Sequence, residues 1–273
     1  MQITAMAKER RHTLAFLDEI RAISPVFLGT DVDMTAVLDH RDGTGTSPAA
    51  RKYSIVTYVL HTAARVLIAH PEANAAVRGR IRPRVARYPG ANGKLTLDRT
   101  VNGRRIVLSA LLPGLERSSL AAVQEQVEHF RDGDFAAMPE FAGARVLQSV
   151  PRPVGGLLFR LGVRPLARRG ESFGTFAVTS LGHRPVDDFY SVGGTTITLG
   201  VGRITQRPVV RGEEVVAAPV MRLSLTFDHR VIDGAEAADV LADLKEALER
   251  FRAPDDVAEE PTGAVRSSDG VDA

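Results

Sequence analysis

The sequence contains no cysteine in 273 residues. That excludes thiol nucleophiles, cysteine-built zinc sites and disulfides, without fixing a compartment. Lysine is almost as scarce. Lys8, Lys52, Lys94 and Lys245 are the only four, and the other basic residues are arginine, a bias we attribute to GC-rich coding rather than to an anion site. There is no large excess of either charge. The net charge of +2 gives a polyanion little to hold, so no nucleic-acid partner is expected. No apolar run reaches about 18 residues, so no transmembrane segment is expected. The opening MQITAMAKERRH lacks the apolar stretch of a secretory leader, and a cytoplasmic location is expected. What remains is the composition of an ordinary globular protein, 44% hydrophobic and 25% charged.

Residues 8–22 read as a helix, and 26–34 as an alternating strand. RDGTGTSP (41–48) reads as a loop leading into a helix that Ser47 can cap, with Pro48 in its first turn, apolar residues from Ile55 to Ile68, and Pro71 as its stop. Residues 94–112 read as a hairpin about Asn102-Gly103. Ser119 opens a helix to about Phe130. Segments 174–179, 195–204 and 216–229 read as strands, and 234–251 as a helix with Ala237, Leu241, Leu244, Leu248 and Phe251 on one stripe. Gly200 and Gly202 alternate with Leu199 and Val201, which suggests a close approach of backbone or ligand to that strand. Strands and helices do not alternate regularly, so the class is mixed α/β (α+β) rather than a doubly wound sheet. Residues 253–273 are polar and acidic, the composition of a disordered tail.

The chemistry concentrates in LSLTFDHRVIDGAEAADVLADL (223–244). By the period of two, Met221, Leu223, Leu225, Phe227 and His229 share one strand face. This would shield the imidazole at the end of an apolar row, where burial disfavours its charged form and suits it to act as a base. Read alone, such a histidine is more often structural, and Asp233 with Glu236 is an ordinary helix N-cap pair. No further His or carboxylate cluster accompanies them, so no metal is expected.

DHRVIDGA (228–235) resembles the D-H-R-x-x-D-G signature of 2-oxoacid dehydrogenase acyltransferase (E2) catalytic domains, whose H-x-x-x-D-G pattern is shared with chloramphenicol acetyltransferase and condensation domains. RRHTLAFLDEIRAISPVFLGTDVDMTAV (10–37), HPEANA (70–75), RSSLAAVQEQVEHFRDG (117–133), GTFAVTSLG (174–182) and TITLGVGRI (196–204) resemble other stretches of that family in the same order. The resemblance implies a chloramphenicol-acetyltransferase-like two-layer sandwich with a mixed sheet over residues 1–252. It implies His229 as general base and Thr179 as the hydroxyl that stabilises the oxyanion, with Ser180 as a second candidate. It also implies Asp233 in a structural ion pair with Arg10 or Arg11, and a homotrimer with the site shared between subunits. The co-substrate would be acetyl-CoA or another acyl-CoA, with neither a metal nor covalently bound lipoate. Segment 149–172 has no counterpart in the usual E2 core and reads as an added helix near the rim of the site.

The lipoyl domain, binding domain and Ala/Pro-rich linkers of full E2 chains are not found in these residues. The reading is therefore a stand-alone acyltransferase that moves an acetyl or short acyl group from CoA to the hydroxyl of a small-molecule acceptor, such as a tetronate-type natural-product intermediate. The alternatives are transfer to a lipoyl or phosphopantetheinyl group on a separate carrier protein, and a non-catalytic assembly subunit.

Overall fold

The computed structural model describes residue 1 and residues 3–43, 52–79 and 81–252. The expected tail at 253–273 and the proposed helix start at Ser47 and Pro48 lie outside the described residues.

Asn102 and Gly103 have φ of 51° and 72°, both left-handed, the backbone of a type I′ turn. They close the hairpin of β4 (Gly93–Val101) and β5 (Arg104–Leu112) in register, Val101 opposite Arg104. A second hairpin joins β7 (Ile197–Arg211) to β8 (Glu214–Asp228) through Gly212, φ 64°. β7 runs seven residues past the predicted end at 204, while β8 nearly matches the predicted 216–229, and the outer halves of both strands are largely exposed. Pro208 is tolerated in β7 because β6 (Phe176–Ser180) pairs β7 only as far as Val201, leaving the outer half at an edge. With β1 (Pro25–Asp33), these strands form one sheet in the order β1-β8-β7-β6-β4-β5, parallel at β4–β6 and β6–β7 and antiparallel elsewhere. This is the expected mixed sheet. A separate pair, β2 (Ala75–Arg78) and β3 (Arg84–Arg87), was not predicted.

One sheet face carries the core. Leu95, Val178, Leu199 and Leu225 pack beneath α3 (Ile55–Ala69), α4 (Leu120–Asp132) and α8 (Gly234–Glu249). Helix α3 is buried continuously from Thr57 to Ala64, as befits a helix apolar on most sides. Each fully buried Val or Leu contributes about 1.5–3 kcal/mol. Its cap is Ser54, whose Oγ accepts from the Thr57 amide at 3.2 Å. The short α2 (Thr35–Gly43) leaves β1. On the other face, α1 (Arg11–Ile20), preceded by a 3-10 turn at Lys8–Arg10, packs against α5 (Ala142–Ser149) and α6 (Arg152–Val163). Segment 149–172 is not one added helix. Pro165 has no N–H to continue the helical ladder after Arg164, so α6 stops there and α7 (Leu166–Phe173) begins after it. Among the described residues, no helix is long and apolar enough to cross a membrane.

The close approach expected at Gly200 and Gly202 is made by backbone. A Cβ on Gly202 would stand 1.8 Å from the Asp187 carbonyl oxygen, and one on Gly200 2.5 Å from that of Phe189. The 187–189 stretch therefore lies on the sheet. Gly202→Ala should destabilise the chain by about 1–3 kcal/mol, measurable by denaturant melts, whereas Gly212→Asn at the hairpin tip should cost far less.

Candidate active site

His229 stands one residue past the end of β8. Through Phe227 the alternating row is buried to within 1% exposure, but the chain then turns, and the His229 side chain is 46% exposed. The shielding expected from strand periodicity is thus absent in the single chain, because the strand ends before the row reaches the histidine.

The turn is held from below. The His229 amide donates to the Ser24 carbonyl at 2.9 Å. Asp228, buried, accepts from the Ser24 amide at 3.3 Å, from the Arg230 amide at 3.2 Å, and from Arg230 Nε and Nη2 at 2.9 and 2.6 Å. The imidazole is oriented from the other side. Nδ1 lies 3.1 Å from the Ile232 carbonyl oxygen and 3.3 Å from Asp233 Oδ1. A carbonyl oxygen only accepts, so in the neutral ring Nδ1 carries the hydrogen and Nε2 keeps its lone pair. The Phe227 ring packs edge-on at 5.5 Å.

Asp233 occupies the N-cap position of α8 but makes no side-chain capping bond, and its side chain is 89% exposed. The expected ion pair with Arg10 or Arg11 is not formed within the chain. Arg11 donates to the Gln148 and Val150 carbonyls at 3.2 and 2.9 Å, closing the end of α5, and Arg10 is exposed. Glu236 does not complete a capping box either, because it meets His70 Nδ1 at 3.1 Å. The buried carboxylate of the signature is Asp228, which sequence reasoning passed over. An acid immediately before the histidine and two residues before an arginine was the available signal. Asp228→Asn should therefore lower stability by about 1.5–3 kcal/mol, the worth of hydrogen bonds to a charged group. Asp233→Asn should leave a thermal melt within error of wild type.

Thr179 lies on β6, its hydroxyl hydrogen-bonded to Thr96 Oγ1 at 3.0 Å. It opens on an apolar chamber of about 670 Å³ between the sheet and α1, α5, α6 and α7. Ser180 does not line this chamber, and its hydroxyl accepts from the Gly182 amide at 3.4 Å. Of the two candidates, only Thr179 is presented to the chamber.

Within one chain, His229 and Thr179 are apart. Thr179 pairs with Gly200, which pairs with Ser224. The five residues from there to His229, with two strand spacings, give a separation of roughly 20 Å. One copy therefore does not bring these two candidate groups together.

Residues 167–254 match the family model of the 2-oxoacid dehydrogenases acyltransferase (catalytic domain). Over 50 residues the chain is 56% identical to the dihydrolipoyllysine-residue acetyltransferase component of the pyruvate dehydrogenase complex of Bacillus subtilis, and 54% identical to that of Staphylococcus aureus. These stretches cover 18% of this chain and 11% and 12% of those relatives. Among solved structures, the dihydrolipoamide acetyltransferase of Azotobacter vinelandii aligns with a TM-score of 0.71 at 19% identity, over 92% of this chain and 93% of that one. A probable dihydrolipoamide acetyltransferase of Listeria monocytogenes aligns at 0.68 and 14% identity, over 96% and 97%. The fold expected from the sequence is thus present over nearly the whole chain, and the family's sequence signature over residues 167–254.

Proposed function

We propose that this chain, with the fold and the signature of a 2-oxoacid dehydrogenase acyltransferase catalytic domain, transfers an acetyl or short acyl group from CoA to a hydroxyl of a small-molecule acceptor. Residues 1–252 act as one catalytic domain. The active centre forms between copies in a homotrimer, His229 of one facing Thr179 of the next. His229 Nε2 takes the proton of the acceptor hydroxyl as its oxygen attacks the thioester carbonyl. The Thr179 hydroxyl donates to the resulting oxyanion. The intermediate then collapses, expelling the CoA thiolate, which recovers the proton from the imidazolium. No acyl-enzyme is needed.

The observation that carries this reading is the Nδ1 contact to the Ile232 carbonyl, which leaves the Nε2 lone pair directed away on an accessible ring. Two further features support it. The roughly 20 Å gap between the candidate groups calls for a second copy. A cavity of about 770 Å³ that borders the His229 turn is lined by Glu19, Arg78, Arg164, Arg169 and Arg230. Arg164 is paired with Glu19 and Arg230 with Asp228, which leaves Arg78 and Arg169 as the guanidinium groups that suit the phosphates of a CoA donor.

A second reading, transfer to a lipoyl group on a carrier protein, is favoured by the match to dihydrolipoyllysine-residue acetyltransferases. Mass spectrometry of reactions with acetyl-CoA separates the two. Acetylation of free hydroxyl compounds with no second protein present is the expected result. Turnover only when a lipoylated protein is added would replace the first reading with the second.

A further inference from the structure

The chamber beside Thr179 is apolar apart from a few groups, and one of these stands out. Lys94, on β4, is 5% exposed and lines the chamber. Its Nζ donates to the Gly193 carbonyl oxygen and stands 3.5 Å from the centre of the Phe173 ring and 5.1 Å from that of Phe16. An ammonium has three donors, and the carbonyl uses one. Among the described residues no carboxylate forms an ion pair with Lys94. An enclosed ammonium with no counter-ion is costly, and burial accordingly pushes the Lys94 pKa well below the usual lysine range.

The remaining walls are built to receive bulk. Phe159 and Phe173 come from α6 and α7, and Leu147 from α5. A Cβ at Gly143 or Gly162, exposed glycines at the rim of the chamber, would meet nothing within 4 Å. Lys94 and Thr96 are two residues apart on one face of β4, so Lys94 sits about 7 Å along the strand from the threonine pair.

We propose that this chamber binds an amphipathic organic acid, its aliphatic or aromatic body against the helices of segment 142–173 and its anionic oxygen on Lys94. The placement of the acceptor's hydroxyl at Thr179 rests on the function proposed above; the binding of the acid does not. The ligand supplies the missing counter-ion and fills the apolar volume together, so a short acid or a long neutral chain satisfies only half of the site.

Calorimetric titration of the full chain with decanoate, decanol and acetate tests this without reference to turnover. Decanoate should bind at least about tenfold more tightly than decanol, and acetate should not bind measurably. Lys94→Met should abolish the preference for decanoate while keeping decanol binding. Gly162→Trp should weaken both by occupying the chamber. Equal affinity of the wild type for decanoate and decanol would overturn the proposal, as would a preference that survives in Lys94→Met. If Lys94→Met does not fold, the wild-type comparison and Gly162→Trp decide. Intact decanoate binding in a chain without acyl transfer would sink the proposed function and leave this inference standing.

Discussion

Replacing His229 with alanine should lower acyl transfer by about 10²–10⁴, the usual worth of a positioned general base, and leave the thermal melt almost unchanged. The two outcomes come from different parts of the same turn. The imidazole is 46% exposed, with the edge of Phe227, the Ile232 carbonyl and Asp233 beside it, so its loss resembles a surface substitution, within about 0.5 kcal/mol. The backbone of the turn is held by Asp228, Arg230 and the Ser24 carbonyl, none of which the substitution touches. Acetyl-CoA consumption with a working acceptor, beside a melt of the same preparation, measures both. A variant that kept more than about a tenth of the wild-type rate would remove His229 from the role of base.

Thr179→Val should cost about 10²–10³ in rate, the loss expected for one oxyanion donor, whereas Ser180→Ala should stay within a few-fold. Valine keeps the branched shape on β6 and removes only the hydroxyl, which in the single chain donates to Thr96 Oγ1 beside the chamber. If the site spans two copies, the two kinds of defective chain complement one another. Refolding His229→Ala chains with Thr179→Val chains in equal amounts should restore about a quarter of the sites, because a ring of random neighbours pairs one intact histidine with one intact threonine that often. No recovery, together with full activity of a species that is monomeric by light scattering, would place both groups in a single-chain site and contradict the shared centre.

The parts legible in the sequence are those set by local rules. The Asn102-Gly103 hairpin, the Ser119 cap of α4 and the apolar stripe of α8 follow from turn geometry, capping and helical period. The parts that were not legible depend on distant neighbours. Nothing in the predicted strand at 195–204 says that it continues to Arg211, since Gln206, Arg207 and Pro208 interrupt the pattern and the pairing partner is the separate segment 214–220 of β8. The burial of His229 was overestimated because periodicity describes the strand and is silent on where the strand stops. Arg10 or Arg11 was expected near Asp233 from the family resemblance, but packing of α1 against α5 gives Arg11 two carbonyls instead. Lys94 passed unnoticed because a lone lysine in a strand has no local mark of burial.

The contact between His229 Nδ1 and the Ile232 carbonyl has a genetic consequence. Where a carboxylate fixes the tautomer of a histidine, one codon change can erase that control. Here the nearer acceptor, at 3.1 Å against 3.3 Å for the exposed Asp233 carboxylate, is main chain and present whatever residue is encoded at position 232. The proton arrangement of the ring is therefore buffered against missense change at its neighbour and depends on the path of the backbone between Asp228 and Gly234. In a saturation scan of 230–234, tolerated substitutions should sort by the turn conformation they permit rather than by polarity or charge. Proline at 231 or 232, where the amide donates to the Asp228 carbonyl at 2.9 or 3.4 Å, should be among the most damaging.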